Sequence, residues 1–202
     1  HTIPPHMVNY RANLWALNYH KATGVISVAS VGGIRGDLQP GDIVIPDQII
    51  DYTWGRKATY FEGNGTPVTH VDFTEPYDRA LRDRIRDAGA ALGIEMKVGG
   101  VYAATQGPRL ETAAEINRLE RDGADIVGMT GMPEAVLARE LGLPYAAISV
   151  VANHAAGRGD SATGIHFESL EHVLHEAMGR VRAVIENLVG RQNACPPMGM
   201  SV

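Results

Sequence analysis

The feature that most constrains the fold is a repeated alternation of short apolar runs with segments of helical periodicity. The runs are rich in β-branched residues, which is typical of strands buried on both faces of a parallel sheet. They are GVISVASV, GDIVIPDQIIDYT, KVGGVYAAT, ADIVGMT and PYAAISVVA. The helical patterns between and around them are VNYRANLWALNYHKAT, residues 75–92, the segment from Leu110, PEAVLARELG and residues 167–188. This order predicts an α/β fold built around a largely parallel sheet.

Bulk properties narrow the class of protein. The 202 residues suit one domain, which we assign to residues 1–190 with a tail at 191–202. The net charge is −5, and the 18 lysines and arginines are scattered, which argues against binding to nucleic acid or a membrane surface. No apolar run approaches the ~20 residues of a membrane helix. The single cysteine, Cys195, excludes an internal disulfide, so we expect a cytoplasmic protein.

Polar and glycine residues follow the predicted strands, where α/β proteins hold their ligands. This set offers one carboxylate, two carboxamides, hydroxyls and backbone amides: Ser30 to Gly33, Gln106 to Glu111, Met129, Thr130, Asn153 and His154. It contains no Cys/His metal cluster, no HExxH motif and no Walker loop. Backbone amides and hydroxyls can hold a phosphate without a metal, and a glutamate with an asparagine can read a flat heterocycle. We therefore predict a site for an anion and a polar ring, with no metal and no cofactor.

Each of these residues also has a purely structural interpretation. Gly32-Gly33 ends its predicted strand and forms either a tight turn or a close approach for a ligand. Thr130 is a candidate helix N-cap, and Glu111 a candidate partner for a helix dipole. Asn153 is a candidate cap of its own turn. The motif GGIRGD weakly resembles a dinucleotide-binding turn but lacks the helix that must follow.

Four long motifs resemble the trimeric purine nucleoside phosphorylases, in particular the branch that handles 5′-methylthio-nucleosides. They are HTIPPHMVNYRANLWAL, QPGDIVIPDQIIDYT, TQGPRLETAAEI and DIVGMTGMPEAVLARELGLPYAAISVVANHAAG. The resemblance implies a central mixed sheet flanked by helices and a homotrimer, or a dimer of trimers, with active sites near subunit interfaces. The family begins with a strand and a glycine-rich phosphate turn that would precede His1, so we expect that the sequence omits an N-terminal segment.

By this resemblance, phosphate and sugar contacts fall on five positions. Ser30 lies where a backbone amide contacts phosphate, and Thr130 lies where a hydroxyl does. His1 occupies a position beside phosphate. Met129 lies under the ribose, and His70 matches a residue that reaches the sugar pocket of a neighbouring subunit.

The resemblance also assigns the base and the 5′ group. Leu110 packs on the purine ring, and Glu111 pairs with the N1–H of a 6-oxopurine. Asn153 contacts the base near N7. His166 and Phe167 fall where the family closes on the 5′ substituent: the apolar ring of Phe167 suits a methylthio group, whereas the histidine suits a hydroxyl.

Asn153 carries the expectation for specificity. Adenine-preferring relatives have aspartates there and two residues on, where this chain has Asn153 and Ala155. A carboxamide can donate to a 6-oxo oxygen and to N7. A mispaired buried polar group costs roughly 1–3 kcal/mol. Asn153 is also the predicted catalytic residue, since its donation stabilises the anionic purine as it leaves.

The expected reaction is phosphorolysis of a 6-oxopurine nucleoside, with S-methyl-5′-thioinosine as the leading substrate and phosphate as co-substrate. The alternatives are methylthioadenosine, or plain inosine and guanosine. A nucleoside-binding module without catalysis, and a methyltransferase-like protein using Asp51 as its ribose carboxylate, are interpretations from other classes.

Overall fold

A computed structural model describes residues 2–63, 65, 67–165 and 167–194. Seven strands and five α-helices alternate along this part of the chain. The strands are β1 Val25–Gly33, β2 Ile43–Ile45, β3 Gln48–Asp51, β4 Lys97–Val98, β5 Val101–Ala104, β6 Ile126–Gly128 and β7 Tyr145–His154. The helices are α1 Tyr10–Tyr19, α2 Arg79–Ala90, α3 Ala113–Arg121, α4 Gly131–Glu140 and α5 Phe167–Ala194. The predicted α/β class is confirmed.

All seven strands form one sheet with the order β3-β5-β6-β1-β7-β2-β4. Strands β2 to β6 run in one direction, whereas β1 and β7 run in the other: β1 is antiparallel to β6, and β7 is antiparallel to β2. Parallel pairs join β1 to β7, β2 to β4, β3 to β5 and β5 to β6. The sheet is therefore mixed, with more parallel than antiparallel pairs.

Two predicted strands are bent in the middle, and this curls the sheet. The run GDIVIPDQIIDYT divides into β2 and β3, and KVGGVYAAT divides into β4 and β5. The bends lie side by side, because the amide of Gly100 donates to Asp47 Oδ1 at 2.9 Å. Gly99 and Gly100 have φ angles of 92° and 126°, which favour glycine. The bends carry β2 and β4 to one end of the sheet and β3 and β5 to the other.

The core lies on both faces of the sheet. One cluster joins the sheet to α1 and α4 through Tyr10, Leu14 and Leu137. A second joins it to α2 and α5 through Ile85 and Val181. Burial of apolar surface in these two clusters, worth about 25 cal/mol per Å², is the main contribution to the stability of the fold. On α1 the buried residues are Tyr10 and Leu14, so the other apolar stripe of that helix, including Trp15 and Tyr19, faces outward.

The glycine pair Gly32-Gly33 forms the last two residues of β1 rather than a turn, so the tight-turn alternative was wrong. Both residues pair with β7 and β6. A Cβ on Gly32 would lie 3.1 Å from the Val127 side chain, and one on Gly33 would lie 3.1 Å from Val151. The glycines therefore make room for neighbouring side chains of the core.

Helix α3 begins later than predicted, at Ala113 rather than Leu110. The reason is a capping box: the amide of Glu115 donates to Thr112 Oγ1, and the amide of Thr112 donates to Glu115 Oε2. Residues 105–111 are thereby left as a loop between β5 and the helix. None of the helices in the described ranges has the length and hydropathy needed to cross a membrane.

Candidate active site

The strand directions correct one premise of the predicted site. Because β1 and β7 run opposite to β5 and β6, the carboxyl ends of these four strands do not share one edge of the sheet. The β1–β6 register pairs Gly32 with Val127 and Gly33 with Ile126. The pairing of β1 with β6 ends at Gly32, and Ser30 lies two residues before that position, inside β1 rather than at a strand end.

The β5–α3 loop (residues 105–112) and the β6–α4 turn (residues 129–132) are joined by the guanidinium of Arg56. Its Nη1 donates to the carbonyl oxygens of Met129 at 2.8 Å and Met132 at 2.6 Å. Its Nη2 donates to the carbonyl oxygens of Thr105 at 3.2 Å and Gln106 at 2.9 Å. One side chain therefore fixes the spacing of two segments that are more than twenty residues apart in the chain.

The same guanidinium is held from two further sides. Its Nε donates to Gln106 Oε1 at 3.2 Å, and its carbon lies 5.6 Å from the ring centroid of Tyr10 in a cation–π contact. The Gln106 carboxamide in turn bonds both backbone groups of Trp54, accepting from N at 3.2 Å and donating to O at 3.0 Å. Gln106, in the segment predicted to face a heterocycle, therefore uses its side-chain amide for hydrogen bonds within the protein.

Glu111 folds back toward β5 instead of compensating a helix dipole. The hydroxyl of Thr105 donates to Glu111 Oε1 at 2.6 Å and lies 3.2 Å from the carbonyl oxygen of Gly128. The first-turn acid of α3 is Glu115, so that alternative for Glu111 was wrong. Among the described residues, no hydrogen bond reaches Oε2 of Glu111, and this half-buried oxygen is available to a ligand.

Thr130 occupies the N-cap position of α4 without a side-chain capping bond. Its amide lies 3.4 Å from the phenol oxygen of Tyr102, which is fully buried beneath the turn. Burial raises the pKa of Tyr102, so the phenol stays protonated. Thr130 itself is exposed, while Met129 is half-buried and packs against Gly107. The β6–α4 turn therefore exposes its backbone and the hydroxyl of Thr130, beside the apolar side chain of Met129.

Asn153 bonds locally, as its structural interpretation allowed. Its Nδ2 donates to the carbonyl oxygen of His154 at 2.6 Å. The connection that follows β7 nevertheless approaches the Glu111 loop: a Cβ on Gly157 would lie 2.8 Å from the side chain of Ala113. Arg158 adds an ion pair with Glu120 of α3 at 2.7 Å. The segments that carry Glu111 and Asn153 are thus packed on each other through α3.

The remaining predicted positions are spread more widely. Leu110 and His70 are exposed, on the loop before α3 and on an irregular segment. Phe167 begins α5, directly after a position that lies outside the described residues. His1 also lies outside the described residues. The structure therefore brings together the segments that carry Met129, Thr130 and Glu111, with Asn153 on an adjoining segment, and it places Ser30 on β1, the strand that pairs with β6.

A half-buried carboxyl group, that of Glu134, lies on α4 just after the turn. Glu134 Oε2 accepts a hydrogen bond from the hydroxyl of Tyr145 at 2.7 Å. Burial raises the pKa of Glu134 and that of Tyr145, because both charged forms lose solvent. Across the described residues, no three His, Cys, Asp or Glu side chains are arranged to hold a metal ion.

Sequence reasoning missed Arg56 and Thr105. Thr105 belongs to a motif that was singled out, but nothing in its spacing indicates that its hydroxyl reaches a glutamate six residues on. Arg56 lies in an irregular segment with no periodicity. Its contacts join it to positions 46 to 76 residues away, which a local pattern does not reveal.

Comparison with known proteins adds a family and a set of relatives. The family model described as the phosphorylase superfamily matches residues 1–190. The chain is 51% identical over 189 residues to a probable S-methyl-5′-thioinosine phosphorylase of Pseudomonas syringae pv. tomato, covering 94% of this chain and 76% of that protein. It is 48% identical over 162 residues to a 6-oxopurine nucleoside phosphorylase of Pyrococcus furiosus, covering 78% and 61%.

A solved structure shares the fold. Methylthioadenosine phosphorylase from Schistosoma mansoni, in complex with adenine, superposes with a TM-score of 0.89 at 30% sequence identity. The match covers 97% of this chain and 74% of that one.

Proposed function

The chain belongs to the phosphorylase superfamily, and from this premise we propose that it cleaves a 6-oxopurine nucleoside with inorganic phosphate. The family confirms the resemblance seen in the sequence. The chain is accordingly an enzyme, a purine nucleoside phosphorylase that transfers a pentosyl group from a base to phosphate. Salvage of purines is the process that such a reaction serves.

The observation that carries the proposal is the convergence of two segments on Arg56. One presents Oε2 of Glu111, to which no described residue donates a hydrogen bond, and the other presents Met129 and Thr130 at the end of β6, the strand next to β1 and its Ser30. A carboxylate acceptor suits the N1–H of a 6-oxopurine. A hydroxyl and backbone amides suit phosphate without a metal. The distance between the two segments is fixed by one side chain, as a reaction between two bound substrates requires.

The proposed chemistry follows from these positions. A phosphate oxygen held near Ser30 and Thr130 attacks the anomeric carbon as the bond from that carbon to the purine nitrogen breaks. The bonding pair leaves with the purine, which then takes a proton to give the neutral base. Asn153 is the proposed catalytic residue, donating to N7 as negative charge develops there. One such donor contributes about 10²–10³ in rate.

The local bond of Asn153 bears on this role. One N–H of its amide donates to the carbonyl of His154, which leaves the second N–H of Nδ2 to donate to the base. Residue 155 is alanine, so neither it nor Asn153 supplies an acidic side chain to accept from a 6-amino group.

For the 5′ group we propose methylthio, making S-methyl-5′-thioinosine the substrate and hypoxanthine and 5-methylthioribose 1-phosphate the products. Three further relatives, 48–53% identical, carry the same probable activity in their names. Leu110 would pack on the base, and Phe167 would close on the methylthio group. We propose no cofactor besides phosphate as co-substrate, with His1 as a further phosphate contact.

We also propose a homotrimer, or a dimer of trimers, in the cytoplasm. Trp54, which bonds Gln106, and Leu110 of the β5–α3 loop are exposed, and so are Met7 and Val68 elsewhere on the surface. Exposed apolar groups of this size suggest a protein interface. His70 lies two residues after Val68 and would then reach the sugar pocket of a neighbouring subunit.

The test is base release from S-methyl-5′-thioinosine, S-methyl-5′-thioadenosine, inosine and guanosine, each with and without phosphate. We expect phosphate-dependent release of hypoxanthine, fastest from the methylthio substrate. Release without phosphate would indicate a hydrolase, and adenine as the preferred product would reverse the base assignment. Binding of nucleosides without any release would leave the chain a non-catalytic binding module.

A further inference from the structure

Thr105 is the residue whose contacts extend the proposed function furthest. It follows β5 directly, and its amide donates to the carbonyl oxygen of Gly128 at 2.8 Å, which continues the pairing of β5 with β6. The backbone of Thr105 is fixed by this bond and by Arg56, which binds its carbonyl oxygen. A threonine side chain on a fixed backbone has few χ1 choices.

The hydroxyl of Thr105 has one proton and two acceptors in reach. Glu111 Oε1 lies at 2.6 Å and the carbonyl oxygen of Gly128 at 3.2 Å. The shorter contact is to the carboxyl group, and charge-assisted O–H···O bonds have this length. The hydroxyl therefore binds one oxygen of Glu111 and leaves the other, Oε2, facing away from it.

We infer that Thr105 is a positioning residue that orients the Glu111 carboxylate and so sets the preference for a 6-oxopurine over a 6-aminopurine. The inference rests on the proposed function. Glu111 accepts the N1–H that only the 6-oxo base has. An untethered carboxylate can rotate away from N1–H, whereas the bond to Thr105 holds Oε2 toward it. The 6-amino base lacks N1–H and gains nothing from this orientation.

The test compares four variants: Thr105→Val, Thr105→Ser, Glu111→Gln and the Thr105→Val/Glu111→Gln double variant. Valine keeps the shape and removes the hydroxyl, while serine keeps the hydroxyl. We expect Thr105→Val to lower kcat/KM for S-methyl-5′-thioinosine by about 10- to 100-fold. For S-methyl-5′-thioadenosine we expect a change of less than about threefold, and Thr105→Ser should restore most of the lost preference.

Two readouts separate positioning from a general structural effect. The KM for phosphate should stay within about twofold, because the phosphate contacts lie on the other segment. In the Glu111→Gln background, Thr105→Val should add less than about threefold, since two residues that act as a unit are not additive. Thr53→Val is the matched control: it makes the same change on the adjoining loop, away from Glu111, and should leave all constants unchanged.

Each outcome decides the inference. Equal losses on both nucleosides, additive losses in the double variant or an unchanged Thr105→Val enzyme would overturn it while leaving the proposed function standing. If valine prevents folding, as judged by thermal denaturation, Thr105→Ala takes its place with the same expectations. A wild-type enzyme that releases no base from either nucleoside would overturn the proposed function, and this inference with it.

Discussion

The loop after β5 and the connection after β7 carry the two proposed base contacts, yet they are held in different ways. The β5–α3 loop is fixed by side chains from distant segments, above all Arg56. The connection after β7 is fixed mainly by its own backbone: the amide of Arg158 donates to the carbonyl oxygen of Ala155, and the amide of Gly157 donates to that of Ser161. Glu111 is held by the hydroxyl of Thr105, six residues earlier in the chain, whereas the amide of Asn153 donates to the carbonyl oxygen of the next residue.

The difference indicates a division of roles. The carboxylate side is arranged before the nucleoside arrives, since Arg56, from outside the loop, binds the backbone of Thr105 and Gln106, and Thr105 in turn holds Glu111. The carboxamide side is held by one bond to a neighbouring carbonyl, and its second N–H is left to donate to the base. Preorganised groups contribute most to binding because little order remains to be imposed. Substitutions that loosen the β5–α3 loop should therefore cost more than those in the connection after β7.

The largest effect is expected from Arg56→Ala. It leaves four carbonyl oxygens without their donor and frees the β5–α3 loop from the β6–α4 turn. We expect a loss of about 3–5 kcal/mol in the free energy of unfolding and of about 10²–10³ in kcat/KM. Chemical denaturation and steady-state kinetics measure the two.

Two further variants define the cause of that loss. Arg56→Lys keeps the charge but not the planar fork, so it should recover only a small part of either quantity. Arg79→Ala removes an exposed arginine with one ion pair on α2 and should cost less than about 0.5 kcal/mol. If Arg56→Lys behaved like the wild type, the positive charge of Arg56 alone would be enough to hold the β5–α3 loop to the β6–α4 turn.

Asn153→Asp should produce the next largest effect, on specificity more than on stability. The carboxylate would repel the carbonyl oxygen of His154, which the amide now binds, and would turn outward to accept from a 6-amino group. We expect the ratio of kcat/KM values for methylthioinosine over methylthioadenosine to fall by about 10- to 100-fold. An unchanged ratio, with both constants reduced alike, would show that Asn153 does not read the 6-position.

The sequence predicted the elements of this fold better than their directions. Buried apolar runs identify β1 and β7 as strands, but such a pattern does not give the direction of a strand in the sheet. Nothing in GVISVASV therefore shows that β1 runs opposite to ADIVGMT, which forms β6. The bends after Ile45 and Val98 were missed because each half continues the same apolar run, although Gly99-Gly100 in the second run is a signal that could have been used.

Candidate residues were identified where they are local to a motif. Met129 and Thr130 follow β6 directly, whereas Glu111 lies in the loop after β5. Ser30 was singled out as the end of a predicted strand, but β1 continues to Gly33, so its assignment to phosphate rests on the resemblance. Arg56 could not be predicted, since its role in joining two segments depends on six hydrogen bonds that exist only after the chain has folded.

Thr130→Val and Ser30→Ala form a pair that compares the two halves of the phosphate contact. Thr130 is assigned a hydroxyl contact on the braced turn, so its loss should raise the KM for phosphate by about tenfold. Ser30 is assigned a backbone contact, so removing its hydroxyl should change that KM by less than about threefold. The KM for the nucleoside is the internal control in both. Equal effects would mean that Ser30 also binds through its side chain.

The smallest effect is expected at the outer end of the braced loop, where Arg109 binds Glu115. Two hydrogen bonds of 2.8 and 2.7 Å from Arg109, together with the amide of Thr112, lower the pKa of Glu115 to about 2 from its ordinary 4.5. A lowered pKa stabilises the folded state at pH values above the ordinary pKa, and this stabilisation is lost as the pH falls from about 4.5 toward 2.

Both side chains are exposed, by 68% and 43%, so solvent screens the pair. We therefore expect Glu115→Gln to lower the free energy of unfolding by less than about 1 kcal/mol at pH 7, and the difference to disappear near pH 2. Glu95→Gln, at an exposed position with only a long contact to Lys97, should show no such pH dependence. Urea denaturation from pH 7 to pH 2 measures both. If kcat/KM for the nucleoside fell in parallel with stability, the Arg109–Glu115 pair would also help to position the β5–α3 loop. Unchanged kinetics would show that Arg56 and its partners position the loop without this pair.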